Sequence, residues 1–235
     1  MPRTAAIIIG NEILTGKFAD DNGPYMIRRF RELGADLVRL TVVRDDVTAI
    51  ADEVRRCAAM ADAVITSGGV GPTHDDVTLQ GVAAAFGEEL RLDEKMLGLL
   101  TGFGLPDGEA ARRMANVPES AELLWDDALS FPVVCVHGVY VLPGVPKLFR
   151  LKFDAIAQRF AGEPVLTARL HTPERETEIA KRLDDIQERF PTVEIGSYPR
   201  LGETTYRVIV TLESRDAEAL ERARAALQAV LDVDG

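Results

Sequence analysis

The apolar residues of this chain come in short blocks, and the spacing inside the blocks switches between that of a strand and that of a helix. Residues 5–9 form an unbroken apolar run of the kind buried on both faces of a parallel sheet. Gly10-Asn11-Glu12 ends that run. A polar loop over 15–22 leads to a predicted helix begun by Pro24 and closed by Gly34, with Met26, Ile27, Phe30 and Leu33 along its apolar stripe. Residues 36–43 read as a second strand, and Asp45-Asp46 precede a helix carrying Ile50, Val54, Cys57 and Ala58 on one face. A third strand, β-branched, spans 63–66. The glycine-rich stretch 67–73 follows, and from Asp76 the positions Leu79, Val82, Ala83 and Phe86 predict a helix that stops at Gly87.

Two further helices are predicted over 93–103 and 108–117. Residues 131–136 and 139–142 flank His137-Gly138, the pattern of a tight hairpin at a sheet edge. Pro143-Gly144-Val145-Pro146 then turns the chain into a helix with Phe149, Phe153, Ile156 and Phe160 on its buried side. Strands alternating with helices of this length predict an α/β fold, a three-layer, mostly parallel sheet with helices on both faces. Gly162-Glu163-Pro164 marks a boundary, after which the order becomes β-α-β-β-α: strand 166–170, helix 174–190, strand 193–198, strand 204–212 and helix 216–230. In the last strand Tyr206, Val208, Val210 and Leu212 alternate, and the last helix carries Leu220, Ala223, Leu227 and Val230. The expected organisation is two domains, 1–164 around the larger sheet and 165–235 as a small α+β layer suited to docking or oligomerisation.

Composition narrows the class of ligand more than the fold. The 235 residues are 46% hydrophobic and 28% charged, enough apolar matter for a sizeable core. A net charge of −11 argues against nucleic acid as the main partner. The apolar run near the N-terminus is too short for a signal peptide or a membrane span, so a cytoplasmic protein without membrane contact is expected. Cys57 and Cys135 sit in apolar-periodic segments and read as reduced core residues.

The candidate chemistry collects between Thr66 and Thr78. A strand, then Ser67, Gly68, Gly69, Gly71, Pro72 and Thr73, then a helix start is an arrangement that offers backbone amides to an anion, most often a phosphate. Asp75 and Asp76 follow directly. One acid is accounted for as a helix cap; two beside an anion loop call for a divalent cation bridging carboxylate and phosphate. No Lys-Ser/Thr follows the last glycine, so this is not a Walker A loop. Glu12 and Asp45 fall at the same carboxyl edge of the expected sheet, where sites of such folds lie. The plainer alternatives are that Asn22 caps a helix, Asp45 closes a turn and Lys147 is a solvated charge.

Several of these residues also carry a family resemblance. Gly10-Asn11-Glu12-Ile13-Leu14-Thr15-Gly16 resembles the opening motif of the competence/damage-inducible CinA family, with Asp21-Asn22 a looser second match. The run from Thr66 to Thr78 matches that family's T-x-G-G-x-G-P-T-x-D-D-x-T signature at every fixed position, and Leu142-Pro143-Gly144-Val145-Pro146 is similar to its third motif. The signature also marks the wider molybdopterin-binding-like fold of molybdenum-cofactor proteins. Three departures stand out. Arg113 is where the family often has a phosphate-facing Lys, with Met114 in place of an amide; Leu148 replaces a frequent Glu; and a glycine-rich segment is replaced by 126–132 and the hairpin. With Gly196-Ser197-Tyr198-Pro199, these look more like the N-terminal domain of eukaryotic FAD synthases. Neither a nicotinamide-nucleotide deamidase domain nor a FAD-forming domain is recognised, so neither activity is expected.

The resemblance implies metal-dependent cleavage of a dinucleotide pyrophosphate, ADP-ribose or FAD, to AMP and a second phosphate. Asp75, Asp76 and Glu12 are then the expected catalytic acids. Asp75, Asp76 and Asp45 are the expected ligands of a divalent cation, Mg²⁺ first, with Co²⁺ or Mn²⁺ as alternatives and K⁺ as a further ion. Asn22, the 67–73 loop, Arg113, Gly144 and Lys147 are the expected substrate contacts. A homodimer is expected, with a trimer as the alternative. Two competing expectations remain: a protein that binds molybdopterin or a nucleotide without turnover, and a degenerate regulatory domain.

Overall fold

The computed structural model describes residues 2–200, 202 and 205–233. The chain divides into two compact units, Met1–Gly162 and Glu163–Gly235. In the first, the elements run β1 (Arg3–Ile9), α1 (Asn11–Leu14), α2 (Asn22–Glu32), β2 (Asp36–Val43), α3 (Val47–Ala58), β3 (Ala63–Ser67) and α4 (Thr78–Phe86). They continue with β4 (Leu90–Leu92), α5 (Glu94–Gly102), α6 (Glu109–Ala115), β5 (Asn116–Pro118), β6 (Glu122–Leu124), β7 (Val133–Val136), β8 (Val139–Leu142) and α7 (Pro146–Ile156). A six-stranded sheet has the order β2-β1-β3-β8-β7-β6, parallel from β2 to β8 and antiparallel beyond. This is a mixed α/β fold on a mostly parallel sheet.

Strand β1 shows how the layers form. Ala5, Ile7 and Ile9 enter the core shared with α3, α4, α5 and α6, while Ala6 and Ile8 enter the opposite core with α2 and α7. An unbroken apolar run is therefore needed, because successive side chains point to opposite faces and both are covered. The second core is largely aromatic: Phe153 contacts Phe30, Phe149 and Phe160.

The hairpin expected at a sheet edge lies inside the sheet. β8 pairs in parallel with β3 and antiparallel with β7, and β6 takes the edge. Val139, Val141 and Leu142 are all buried, and a strand covered on both faces belongs between neighbours. Its turn has positive φ at both His137 (47°) and Gly138 (81°), the geometry that matches the twist of a two-residue hairpin. α2 begins at Asn22 rather than Pro24, and its turn-by-turn register leaves Ile27 exposed while Met26 and Phe30 are buried. The helix expected over 108–117 stops at Ala115, where Asn116–Pro118 pairs with β4. β4, β5 and β6 have three residues each, too few for a readable period.

The second unit contains β9 (Leu166–Thr172), α8 (Glu176–Arg189), β10 (Glu194–Pro199), β11 (Val208–Ser214) and α9 (Ala217–Gln228). Its antiparallel sheet has the order β10-β11-β9. Val208, Val210 and Leu212 of β11 pack with Ile179, Ile186, Ala223 and Leu227 of the two helices. The strand expected over 204–212 begins at Val208; Thr204 lies outside the described residues, and Tyr206 instead stacks on His171 at 4.5 Å. α9 ends before Val230, which is exposed, and Leu231 takes the buried place. Among the described residues no helix is long and apolar enough to cross a membrane. Cys57 is buried, Cys135 half-buried, and both are free thiols.

One buried acid stands out in the first unit. Glu53 accepts hydrogen bonds from Arg39 (2.7 Å) and Thr41 (3.1 Å) and an ion-pair contact from Arg56 (3.1 Å). Burial pushes its carboxyl pKa up, but the Arg39 and Thr41 hydrogen bonds outweigh that and hold it below the ordinary value. A lowered folded-state pKa means stability that is present above the unfolded-state pKa and lost as pH falls through the folded one. Glu53→Gln is therefore expected to cost about 1–3 kcal/mol near pH 7. The difference from the parent should shrink on acidification below the usual glutamate range. Urea unfolding across that range checks it; a pH-independent difference would count against the ion pair.

Candidate functional site

The carboxyl ends of β1, β3 and β8 open on one edge of the sheet, and a cavity of about 640 Å³ lies there. The loop after β3 forms its floor because of its glycines. Gly68 has φ 110° and Gly69 φ 62°, conformations that side chains rarely adopt. A Cβ on Gly68 would collide with the Ile9 carbonyl oxygen, and a Cβ on Gly144 would touch the Gly68 Cα. Thr78 pins the far end of the loop, its hydroxyl donating to Gly68 O (2.8 Å) and its amide to Gly69 O (3.0 Å).

These bonds sort the loop's amides. Gly68 N–H donates to Leu142 O (3.1 Å), Thr73 N–H to Asp76 Oδ2 (2.8 Å), and Pro72 has no N–H. Among the described residues the amides of Gly69, Val70 and Gly71 make no hydrogen bond, and all three residues line the cavity. The donor set for an anion is thus these three, a narrower group than the whole 67–73 stretch. The helix start contributes less than expected: α4 begins at Thr78, two residues after Asp76, and its first amide is spent on Gly69.

Asp75 and Asp76 consequently do not cap the helix. Both turn back onto Thr73, whose hydroxyl lies 2.6 Å from Asp75 Oδ1 and 2.5 Å from Asp76 Oδ2. A hydroxyl has one proton, so it serves only one carboxylate at a time, and the other oxygen meets a lone pair. The Thr73 hydroxyl holds the Asp75 carboxyl below its ordinary pKa. Asp45, across the cavity, accepts the Asn11 N–H (2.7 Å), which ties the start of α1 to the end of β2. Burial raises its pKa, the Asn11 bond opposes, and the charges of Glu12 and Asp75 raise it further. Glu12, Asp45, Asp75 and Asp76 all line the cavity.

Asn22 is 4% exposed, and its Nδ2 donates to Ser67 Oγ (2.9 Å) and Gly144 O (2.8 Å). A carbonyl can only accept, so this orientation of the amide is fixed, and Oδ1 is left buried without a partner. The cap of α2 is not Asn22: Asp20 accepts from the amides of Asn22 (2.9 Å) and Gly23 (3.0 Å). The roles of Asp20, Thr73 and Thr78 rest on partners that the sequence does not mark; an Asp two residues before a helix start is the one readable signal.

Of the residues singled out from sequence, Glu12, Asn22, Asp45, Ser67, Gly68, Gly69, Gly71, Asp75, Asp76 and Gly144 share the cavity. Pro72, Thr73, Arg113 and Lys147 do not line it. Arg113 donates to Thr73 O (2.7 Å) and pairs with Glu109, so it braces the loop from outside, on the side of His74. Lys147 is exposed beside the lining residues Pro146 and Leu148.

Among the described residues no three His, Cys, Asp or Glu come close enough to form a metal cage by themselves. The carboxylates nevertheless suit a hard cation of the Mg²⁺ type, which binds through one or two carboxylates with substrate oxygens and water completing its shell. Two acids competing for one hydroxyl proton, beside a third whose pKa is raised by burial and then by the charges of Glu12 and Asp75, is charge that a cation would offset.

Fold and site together define an α/β domain with a glycine loop and a ring of acids over the carboxyl ends of a parallel sheet. The chain belongs to the probable molybdopterin-binding domain family, whose model matches residues 5–166. Residues 164–234 match the model of the FAD synthase middle domain. An Archaeoglobus fulgidus protein is 35% identical over 92% of this chain and 93% of its own length. A probable FAD synthase of Caenorhabditis briggsae is 34% identical over 97% of this chain, which spans 50% of that longer protein. In structure, the Thermoplasma acidophilum protein CinA, of unknown function, superimposes with TM-score 0.62 and 32% identity, over 68% of this chain and 98% of its own.

Proposed function

We propose that the chain is a metal-dependent nucleotide pyrophosphatase that splits a dinucleotide such as ADP-ribose or FAD into AMP and a second phosphate monoester. The observation that carries this is the run of three unbonded amides, Gly69 to Gly71, in residues that line one cavity together with Glu12, Asp45, Asp75 and Asp76. The amides donate to non-bridging oxygens of the pyrophosphate, where negative charge grows as the bridging bond breaks. Asn22 Oδ1, buried and unpartnered, accepts from a ligand hydroxyl, which fits a ribose better than a phosphate oxygen. Asp75 and Asp76 would hold the cation, which supplies charge neutralisation on the phosphates. A water placed by Glu12 or Asp45 attacks one phosphorus; its proton passes to the carboxylate, and the P–O bond to the bridging oxygen breaks. The relatives named FAD synthase support a FAD-related substrate.

The second reading, binding of molybdopterin or a nucleotide without turnover, draws on the apolar Met114 and Leu148 at the cavity wall and on the family description. Incubating the purified chain with ADP-ribose, FAD or NAD and Mg²⁺, Mn²⁺ or Co²⁺, and following AMP by chromatography, separates the two. AMP release that a chelator abolishes is expected; saturable binding with no AMP under any ion would establish the second reading.

A further inference from the structure

Beside the polar cavity lies a second, apolar one of about 310 Å³. It is walled by Met96, Leu100, Met114, Phe131, Val134 and Leu151, among other apolar residues. The two cavities share Val70, Met114, Pro143 and Leu148, so they adjoin along these four residues, one polar and one apolar. Met114 and Leu148 stand at the seam, two apolar side chains between the acids and the apolar wall. The single charged group in the apolar wall is Lys152. Its ammonium donates to Phe131 O (2.9 Å) and Pro132 O. Burial pulls its pKa down to about 8, and an ammonium has a third N–H to offer.

We propose that the apolar cavity is a ring pocket that takes a planar, apolar-edged fused ring system of flavin type, attached to a pyrophosphate lying over the Gly69–Gly71 amides. The inference rests on the pyrophosphatase reading of the polar cavity and adds what selects the substrate. Adenine and pterins carry hydrogen-bonding groups around most of their edges, and in a cavity whose only polar side chains are Ser130 and Lys152 most of those groups would be buried without partners. An isoalloxazine confines its polar groups to one end and presents a methylated benzenoid edge at the other. The Lys152 ammonium suits the carbonyl-bearing end; thioethers and Phe131 suit the flat apolar one. A ribose 5-phosphate arm, as in ADP-ribose, would leave the cavity unfilled. The ring pocket thus favours FAD over ADP-ribose.

Riboflavin carries the ring without any phosphate, so its binding reports this pocket alone. Titrating it against the full chain in chelator, by flavin fluorescence, is expected to give saturable quenching. Leu151 is 47% exposed and lines only the apolar cavity, so Leu151→Glu should fold while placing a charge in its wall. It is expected to weaken riboflavin binding at least tenfold, and to lower kcat/KM for FAD relative to ADP-ribose by a similar factor. Phe131→Ala should shift both in the same direction. Absence of saturable quenching, or quenching unchanged in both variants, would overturn the ring pocket. Riboflavin binding with no AMP from any dinucleotide would instead leave the pocket standing and reject the pyrophosphatase reading.

Discussion

Asp76→Asn is expected to lower AMP release about a thousandfold, a loss of about 4 kcal/mol of transition-state stabilisation, without lowering the melting temperature. The two halves of that expectation have different origins. Asp76 Oδ2 accepts the Thr73 N–H (2.8 Å) and so closes the loop, a bond that the amide oxygen of Asn also accepts. The clamp survives the substitution while the charge does not. Thr73 Oγ1 lies within hydrogen-bond distance of both acids, and neutralising one of them removes a repulsion that no cation offsets in chelator. Melting in chelator should therefore be unchanged or raised. Asp75→Asn should follow the same course. Asp76→Ala, which loses the clamp too, should melt lower. Activity of Asp76→Asn within a few-fold of the parent, still metal-dependent, would mean that the acids only shape the loop.

Gly68→Ala should destabilise the fold by about 3 kcal/mol or more, and the loop with it. At φ 110° an alanine is strained before any contact is considered, and its Cβ would meet the Ile9 carbonyl oxygen. That atom belongs to β1, which is paired on both sides, so it has nowhere to move. Opposite lies Gly144, whose own missing side chain leaves room for the Gly68 Cα. Gly87→Ala is the comparison: φ is 70°, but no atom lies within 4 Å of the added carbon, so about 1 kcal/mol is expected. Urea denaturation of the two variants checks the contrast. Equal losses would show that left-handed strain, rather than close approach to β1, sets the demand for glycine.

The long elements were legible because burial leaves a periodic mark. β1, α3 and β3 could be placed from apolar spacing, since a strand covered on both faces must be apolar throughout and a helix covered on one must repeat near every fourth residue. That the glycine loop and the acids meet at one sheet edge was legible too: Glu12, Asp45, Asp75 and Asp76 each follow the carboxyl end of a strand or its loop, and they line one cavity. The three-residue strands were not legible, because they hold less than two periods of any pattern.

Hydrogen-bond partners were not legible either, since they are settled between residues far apart in the chain. Sequence offered Asn22 as a cap or a ligand; the fold buries it against Ser67 and Gly144, which consumes its donors and leaves an acceptor. It offered Arg113 as a phosphate contact, and packing of α6 aims it at the outer side of the loop, onto Thr73 O. It offered the 67–73 loop as an anion cradle, and hydrogen bonds to the Leu142 carbonyl and the Asp76 carboxylate left the amides of Gly69, Val70 and Gly71 free. The sequence by itself determined which residues are apolar, which positions tolerate positive φ, and hence the layers and the edge at which the glycine loop and the acids gather. Only the tertiary structure decided which polar atoms at that edge remain unpaired, because a donor or acceptor is spent by whichever partner the packing brings within 3 Å, and no local pattern records that partner.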